Sequence, residues 1–266
     1  MTVDIATEIK AKARATWAKG SYSEIARNLV EMSAHLVRAA RVGARDLVLD
    51  VATGTGITAI TARQTGADVV ALDLTPRLLD AALELAEAAG TSGIDWREGD
   101  AEALPFRDGE FDIVLSSFGH MFAPQPEVTI REMLRVLRPG GRIAFTTWPP
   151  EHATGAMFRV LGQYVPPQPG IPSPLEWGIP QVVRQRLGDA VEGLVFERDA
   201  VRFYALSAAH FWHIFATFYG PAIRAIEAVG ADRVEALSRG AVDALLPFFR
   251  DNAMHMDYLL TRAVKT

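Results

Sequence analysis

Through the first 150 residues, short apolar runs alternate with stretches of helical period. That is the pattern of a parallel sheet covered by helices on both faces. Residues 47–51 (LVLDV), 69–73 (VVALD), 112–117 (DIVLSS) and 141–148 (GRIAFTTW) predict strands, and a weaker one falls near Ile94 to Glu98. Between them, Thr75 before Pro76 predicts an N-cap followed by proline at the first helical position, where a missing N–H costs nothing. That helix runs to about Ala89 and stops at Gly90. A later helix carries Ile130, Met133, Leu134 and Leu137 on one stripe, and Pro139 with Gly140-Gly141 turns the chain into the next strand.

The pattern changes after Trp148. Residues 149–180 hold eight of the 15 prolines and predict an irregular loop, with a short helix around Ala156 to Tyr164. A strand-like stretch follows near Leu194 to Leu206. Ser207 is placed to cap a helix through Phe218, further helices run to about Arg250, and His255 to Val264 is the last strand candidate. Phe211, Trp212, Phe215, Phe218 and Tyr219 give the first of these helices an aromatic face, readable as core or as an apolar wall of a substrate pocket.

The most informative stretch is Val48-Leu49-Asp50-Val51-Ala52-Thr53-Gly54-Thr55-Gly56-Ile57, a strand entering a glycine turn that opens a helix. Glycines let the backbone approach a ligand, and the helix start offers free N–H groups. Gly54-Thr-Gly56-x-x-Ala59 also satisfies a relaxed dinucleotide fingerprint, with Asp73 about where a ribose-binding acid would stand. Asp50 argues the other way, because a carboxylate beside the turn repels a pyrophosphate and suits a cationic, phosphate-free nucleoside. Asp73 could accept both ribose hydroxyls, or serve only as an acid at a helix start. Asp100, in GDAEALPF, could accept an adenine amino group or be a solvated turn.

Composition narrows the classes of function. With 27 Lys+Arg against 32 Asp+Glu the net charge is −5, and no basic cluster offers a phosphate-binding surface, so nucleic acid is not the expected partner. There is no cysteine, which excludes disulfides, thiolate nucleophiles and Cys-ligated zinc, and no metal site is expected. The first twenty residues mix Asp4, Glu8, Lys10 and Lys12 among apolar positions and so form no signal-peptide core. No apolar run reaches the length of a membrane span. The expectation is a reduced, cytoplasmic, globular enzyme.

The strings VLDVATGTG, ALDLTPRLL, GDAEALPF, FDIVLSSFGHMF and LRVLRPGG, in that order over Leu47 to Trp148, resemble class I S-adenosylmethionine-dependent methyltransferases. The nearest likeness is the small-molecule branch that includes quinone-biosynthesis C-methyltransferases. The resemblance implies an α/β fold: a doubly wound, seven-stranded, mostly parallel sheet with an antiparallel last strand and a helical insertion before it. It implies one domain over 1–266, with 1–45 an N-terminal helical lid, 46–149 the cofactor-binding core and 150–266 the substrate-side loop, helices and C-terminal strands.

Carried onto this chain, it implies that Asp50, Ala52, Thr53, Gly54 and Gly56 surround the methionyl part of S-adenosylmethionine. Asp73 and Leu74 would hold the ribose, and Asp100, Ala101 and Glu102 would flank the adenine. Ser116, Ser117 and Phe118 would face the reacting methyl. Ala52 departs from the pattern, standing where many members have the first glycine. Trp17, Gly20 and Tyr22 resemble the segment that lids the cofactor.

An oxygen or carbon acid would also want a base. His120, just beyond the fourth strand, is the candidate, with Glu151 and His152 behind it. The expected acceptor is a small, hydrophobic or aromatic metabolite. An NAD(P)-dependent oxidoreductase and a catalytically silent adenosylmethionine-binding module stay open as alternatives.

Overall fold

Strands form where both faces of the segment are apolar. In β1 (Leu47–Val51) and β4 (Phe111–Ser117) nearly every residue is buried, as strands covered on both sides must be. The computed structural model describes residues 5–166 and 168–266; residues 1–4 of the expected lid and Pro167 of the proline-rich loop lie outside the described residues. β1 pairs in parallel with β4 on one side and with β2 (Asp68–Asp73) on the other, and β2 pairs with β3 (Ile94–Glu98). β3 read weakly in sequence because it is an edge strand, largely half-buried or exposed.

With β5 at Leu137–Thr147, β6 at Val191–Tyr204 and β8 at Ala253–Lys265, the strand order is β3-β2-β1-β4-β5-β8-β6. The chain steps outward from β1 through α4 (Ile57–Arg63) and α5 (Pro76–Ala88), then in the opposite direction from β4 through α6 (Pro126–Val136) to β5 (Leu137–Thr147). Parallel crossovers are right-handed, so α6 lies on the other face from α4 and α5. The order reverses between β1 and β4, and the crevice at their carboxyl ends is where such sheets bind ligands. Leu137, expected as the last residue of a helical stripe, is instead the first of β5, opposite Phe111 across a bulge.

β8 (Ala253–Lys265) runs antiparallel between β5 and β6 (Val191–Tyr204). The expected seven-strand path is therefore present. An eighth strand, β7 (Phe249–Arg250), adds two residues against β8 through a turn in which Asp251 and Asn252 both take left-handed angles. α7 (Ala153–Tyr164) follows β5, and α8 (Pro180–Leu187) precedes β6; between β6 and β8 lie α9 (Ala208–Phe218), α10 (Gly220–Val229) and α11 (Ala231–Leu245), of which α10 and α11 pack on α7. Ser207 caps α9 as expected, its hydroxyl accepting from the His210 N–H at 3.0 Å. Thr75 takes the N-cap position of α5, but its hydroxyl makes no cap bond.

Three N-terminal helices precede the sheet: α1 (Ile5–Trp17), α2 (Tyr22–Ala26) and α3 (Val30–Ala39). α3 packs on α4, while α1 packs on α10 and α2 on α9. Gly20 makes that seam possible. Its φ is +68°, and a Cβ there would sit 2.5 Å from the Phe218 carbonyl oxygen. The backbone bridge from Gly20 to Tyr219 closes the seam. Among the described residues no helix is long and apolar enough to cross a membrane.

Candidate functional site

The turn from β1 into α4 passes through the left-handed region three times, at Ala52 (φ +54°), Gly54 (+57°) and Gly56 (+77°). Each glycine has its own reason. A Cβ on Gly56 would meet the Trp96 ring at 2.6 Å, so this glycine serves helix–sheet packing. A Cβ on Gly54 would meet nothing nearer than the Tyr22 ring at 3.9 Å, because this glycine borders open space. Ala52 holds a strained angle, worth about 1 kcal/mol for a residue with a side chain. Its methyl is accommodated because the facing residue is Gly119, whose own Cβ would lie 2.5 Å away.

Two buried carboxylates brace this turn. Asp73, at the end of β2, accepts the Gly54 N–H and the Thr75 N–H, each at 2.8 Å, and so clamps the turn to the next strand. Burial pushes its carboxyl up, against the pull of those N–H groups. Asp50 lies fully buried behind the turn, not in the wall of the cleft. Its Oδ2 accepts the Thr53 hydroxyl at 2.5 Å, and its Oδ1 has no protein partner. Burial is the main cause that pushes Asp50 up to about 7, with the Asp73 charge adding to it and the Thr53 bond opposing it.

At the third strand end, Asp100 Oδ1 accepts the Glu102 N–H at 2.9 Å and Oδ2 pairs with Lys10 at 2.7 Å. Lys10 reaches across from α1, and it also meets Glu102 at 2.5 Å. Burial alone would lower the Lys10 ammonium, but the bonds to both acids outweigh it and raise it. Glu102 does not border the cleft. Its oxygens are taken by the Gln125 N–H, the Gln125 side chain and Lys10.

These parts surround a cleft of about 970 Å³, counting its open mouth. Ala52, Thr53, Gly54, Asp73, Leu74, Asp100, Ala101, Ser117, Phe118, Trp17 and Tyr22 all line it. Asp50, Gly56, Glu102 and Ser116 do not; they act from behind. Ser116 is fully buried, its hydroxyl bonded to the Val51 carbonyl at 2.7 Å and receiving the His120 N–H at 3.2 Å, a clip between β1 and the turn after β4.

His120 is turned away from the cleft. Its ring is fully buried edge-on against Phe145 and Trp177, and neither ring nitrogen has a protein partner. Burial, reinforced by the Arg186 charge, drives it down to about 3, so it stays neutral. It belongs to the short 3-10 turn Gly119–Phe122 beyond β4, and its ring packs among aromatic side chains and does not line the cleft. Glu151 and His152 are engaged with Arg198 and Asp257 outside the cleft. We expect His120→Leu to cost less than about 1.5 kcal/mol in urea unfolding, with turnover within twofold; a tenfold drop in turnover would restore the base.

A narrower space, about 380 Å³ only when the part open to solvent is counted, adjoins the cleft, and Trp17, Tyr22, Leu29, Phe118 and Phe122 border both spaces. Its inner wall comes from Trp148, Thr154, Met157, Phe203, Phe215, Tyr219 and Met256. Of the aromatic helix, then, Phe215 and the following Tyr219 reach the chamber, whereas Phe211 and Trp212 are core. Phe118 stands at the junction with φ +60°, stacked on Trp148 at 3.7 Å. A bulky residue in that region is strained, and such strain collects at functional sites.

The cleft fits a cationic nucleoside. Two buried carboxylates, one with a partnerless oxygen, put a negative field under the glycine turn, which a pyrophosphate would oppose and a sulfonium with an ammonium would welcome. A doubly wound sheet with this crevice and this turn, and with β8 antiparallel beside β5, is the arrangement that the resemblance to class I methyltransferases implies.

Comparisons agree. The family described as "Methyltransferase domain" matches residues 49–145. An uncharacterized protein of Mycobacterium tuberculosis is 37% identical over 276 residues, covering all of both chains. The demethylmenaquinone methyltransferase of Thermus thermophilus is 42% identical over 124 residues, 45% of this chain and 56% of that one. Among solved structures, the YcgJ protein of Bacillus subtilis is similar in fold, with a TM-score of 0.59 and 19% identity over 88% of this chain and 98% of that one. A geranyl diphosphate methyltransferase in complex with SAM has a TM-score of 0.56 and 16% identity over 89% and 85%. The chain belongs to the class I S-adenosylmethionine-dependent methyltransferases, in one family with the mycobacterial protein.

Proposed function

We propose that the chain methylates a small apolar acceptor, held in the inner chamber with its nucleophilic atom beside Phe118. What supports this reading is that Trp17, Tyr22, Leu29, Phe118 and Phe122 border both spaces, so a molecule in the chamber lies against the same side chains as one in the cleft. Asp73 and Leu74 hold the ribose. Asp100 and Ala101 border the adenine, with Lys10 balancing the acid. Ala52, Thr53 and Gly54 line the methionyl part, braced by Asp50, and Ser117 with Phe118 flanks the methyl.

S-adenosylmethionine, when bound, supplies an electrophilic methyl on a sulfonium leaving group. The protein's share is alignment and dryness, which in the best intramolecular models supply about 7–11 kcal/mol. The N-terminal helices from Ile5 to Ala39, as a lid, close the mouth: Lys10 ties α1 to Asp100 and Glu102, and Lys19 ties its far end to Glu227 at 2.8 Å. Trp17 seals the junction, edge-on to Tyr22, Phe122 and Tyr219. An acidic chain with carboxylates at the cleft is suited to a small molecule in the cytoplasm and not to nucleic acid.

The test uses methyl-labelled S-adenosylmethionine with a panel of substituted phenols, naphthols, thiols and amines, alongside DNA and RNA oligonucleotides. Label should enter an organic-extractable product. Met157→Trp, which fills the chamber, should abolish that transfer while leaving adenosylhomocysteine affinity within twofold. Label in the oligonucleotides, or full activity in Met157→Trp, would overturn the reading.

A further inference from the structure

Helix α1 is fastened differently at its two ends. From Thr7 to Trp17 no residue is buried, whereas α2 and α3 sink Ile25, Ala26, Met32, Leu36 and Val37 into the core. Of the expected lid, then, α1 is the part that stays out of the core. Its carboxyl end is seated by close packing: Trp17 stands among Tyr22, Phe122 and Tyr219, and a Cβ on Gly220 would lie 2.1 Å from the Thr16 carbonyl oxygen. Arg224 adds a bond to the Thr16 hydroxyl at 3.2 Å. Toward the amino end, ion pairs hold it. Arg14 meets Glu98 at 2.7 Å, both of them open to water, and the more sheltered Lys10 meets Asp100 and Glu102. Pairs that water reaches are weak and are screened by salt. Lys10, Ala13 and Trp17, on one face of the helix, line the cleft.

We propose, resting on the cofactor cleft assigned above, that α1 is a hinged arm: it pivots at Trp17 and Gly220, Lys10 latches its free half onto the adenine side of the cleft, and its opening sets the rate at which adenosylhomocysteine leaves. The coupling runs through Asp100. Its Oδ1 accepts the Glu102 N–H and its Oδ2 holds Lys10, yet each carboxylate oxygen has a second lone pair to offer. An adenine amino group on Asp100 and the Lys10 ammonium therefore meet on one acid, with Ala13 and Trp17 lining the same space. A bound nucleoside gives the arm a surface to close on, and the closed arm covers the nucleoside. Each favours the other by the same free energy, because coupling between two binding events is reciprocal. The latch is made of charge and the pivot of packed rings, so salt loosens the first and spares the second.

The experiment loads the protein with radiolabelled adenosylhomocysteine and measures its release into an excess of the unlabelled compound. Raising sodium chloride from about 0.1 M to about 1 M shortens the Debye length from about 10 Å to about 3 Å, and should speed release from the parent several-fold. Lys10→Met should release about tenfold faster, the worth of one charge-assisted bond, and lose most of that salt dependence. Lys10→Arg, which keeps the charge, should stay within about threefold of the parent. The chain has no cysteine, so Arg14→Cys with Glu98→Cys can be joined by a bis-maleimide carrying a disulfide in its spacer, which ties the arm down. Release should then nearly stop, and resume when the spacer is reduced. Release from the bridged protein at the parent's rate, or rates indifferent both to salt and to Lys10→Met, would overturn the arm and leave the cleft reading standing. A parent that binds no adenosylhomocysteine would take the cleft reading down with it, so the two failures are distinguishable.

Discussion

Replacing Asp73 with alanine is expected to weaken adenosylhomocysteine binding at least about a hundredfold and to lower the stability of the free protein by about 2 kcal/mol. The carboxylate has two duties. It accepts the N–H groups of Gly54 and Thr75, charge-assisted bonds worth about 1.5–3 kcal/mol each. It also keeps spare lone pairs on both oxygens, which can take ribose hydroxyls in the cleft it lines. Alanine removes both, leaving the glycine turn untied just where its angles are hardest to hold. Asp73→Asn keeps one acceptor oxygen and should lie between the two. Calorimetric titration and thermal melting of the three proteins check this. An affinity in Asp73→Ala within threefold of the parent would remove the residue from the site.

Much of this site was legible in the sequence because its chemistry is local. Strand, glycine turn and helix start are consecutive residues, so Asp73, Asp100 and the Ala52–Gly54 segment could be placed from patterning and punctuation alone. What could not be placed depends on direction or on distant partners. Ser116 and Ser117 were expected to face the methyl together, yet successive strand residues point to opposite faces, and that alternation already allows only one of them. Asp50 and Glu102 have the right charge in the right place, but their side chains turn behind the loop to serve Thr53 and Gln125. Lys10 was missed because its partners lie 90 and more residues away. The one local signal was its spacing: Lys10, Ala13 and Trp17 share a helical face, and all three line the cleft. The chamber was hinted at by the aromatic helix, but Thr154 and Met157 come from α7, beyond the fifth strand, and nothing in their own neighbourhood marks them.

Asp50→Asn is expected to make the free protein more stable above pH 7 and a poorer binder of S-adenosylmethionine. In the unfolded chain Asp50 would titrate near 3.8, whereas burial raises it to about 7 in the fold. Between those two values the folded state holds a proton that the unfolded state has released. Stability from this group therefore falls as pH rises through the window, and the full cost is felt above about 7. A shift of that size corresponds to a few kcal/mol at most. Urea unfolding at pH 5 and pH 8 should show the parent losing stability relative to Asp50→Asn, with the variant ahead by about 1–3 kcal/mol at pH 8. The reason to keep an ionisable carboxylate there is its field, since a cationic ligand above the turn favours the charged form. Binding near pH 7 should accordingly release a fraction of a proton, seen as a dependence of the calorimetric heat on the buffer's ionisation enthalpy, and Asp50→Asn should abolish that release while weakening affinity about tenfold at pH 8. Equal pH profiles of stability in the two proteins, with no proton released, would mean that Asp50 is an ordinary buried hydrogen-bond acceptor and that the positive ligand owes nothing to it.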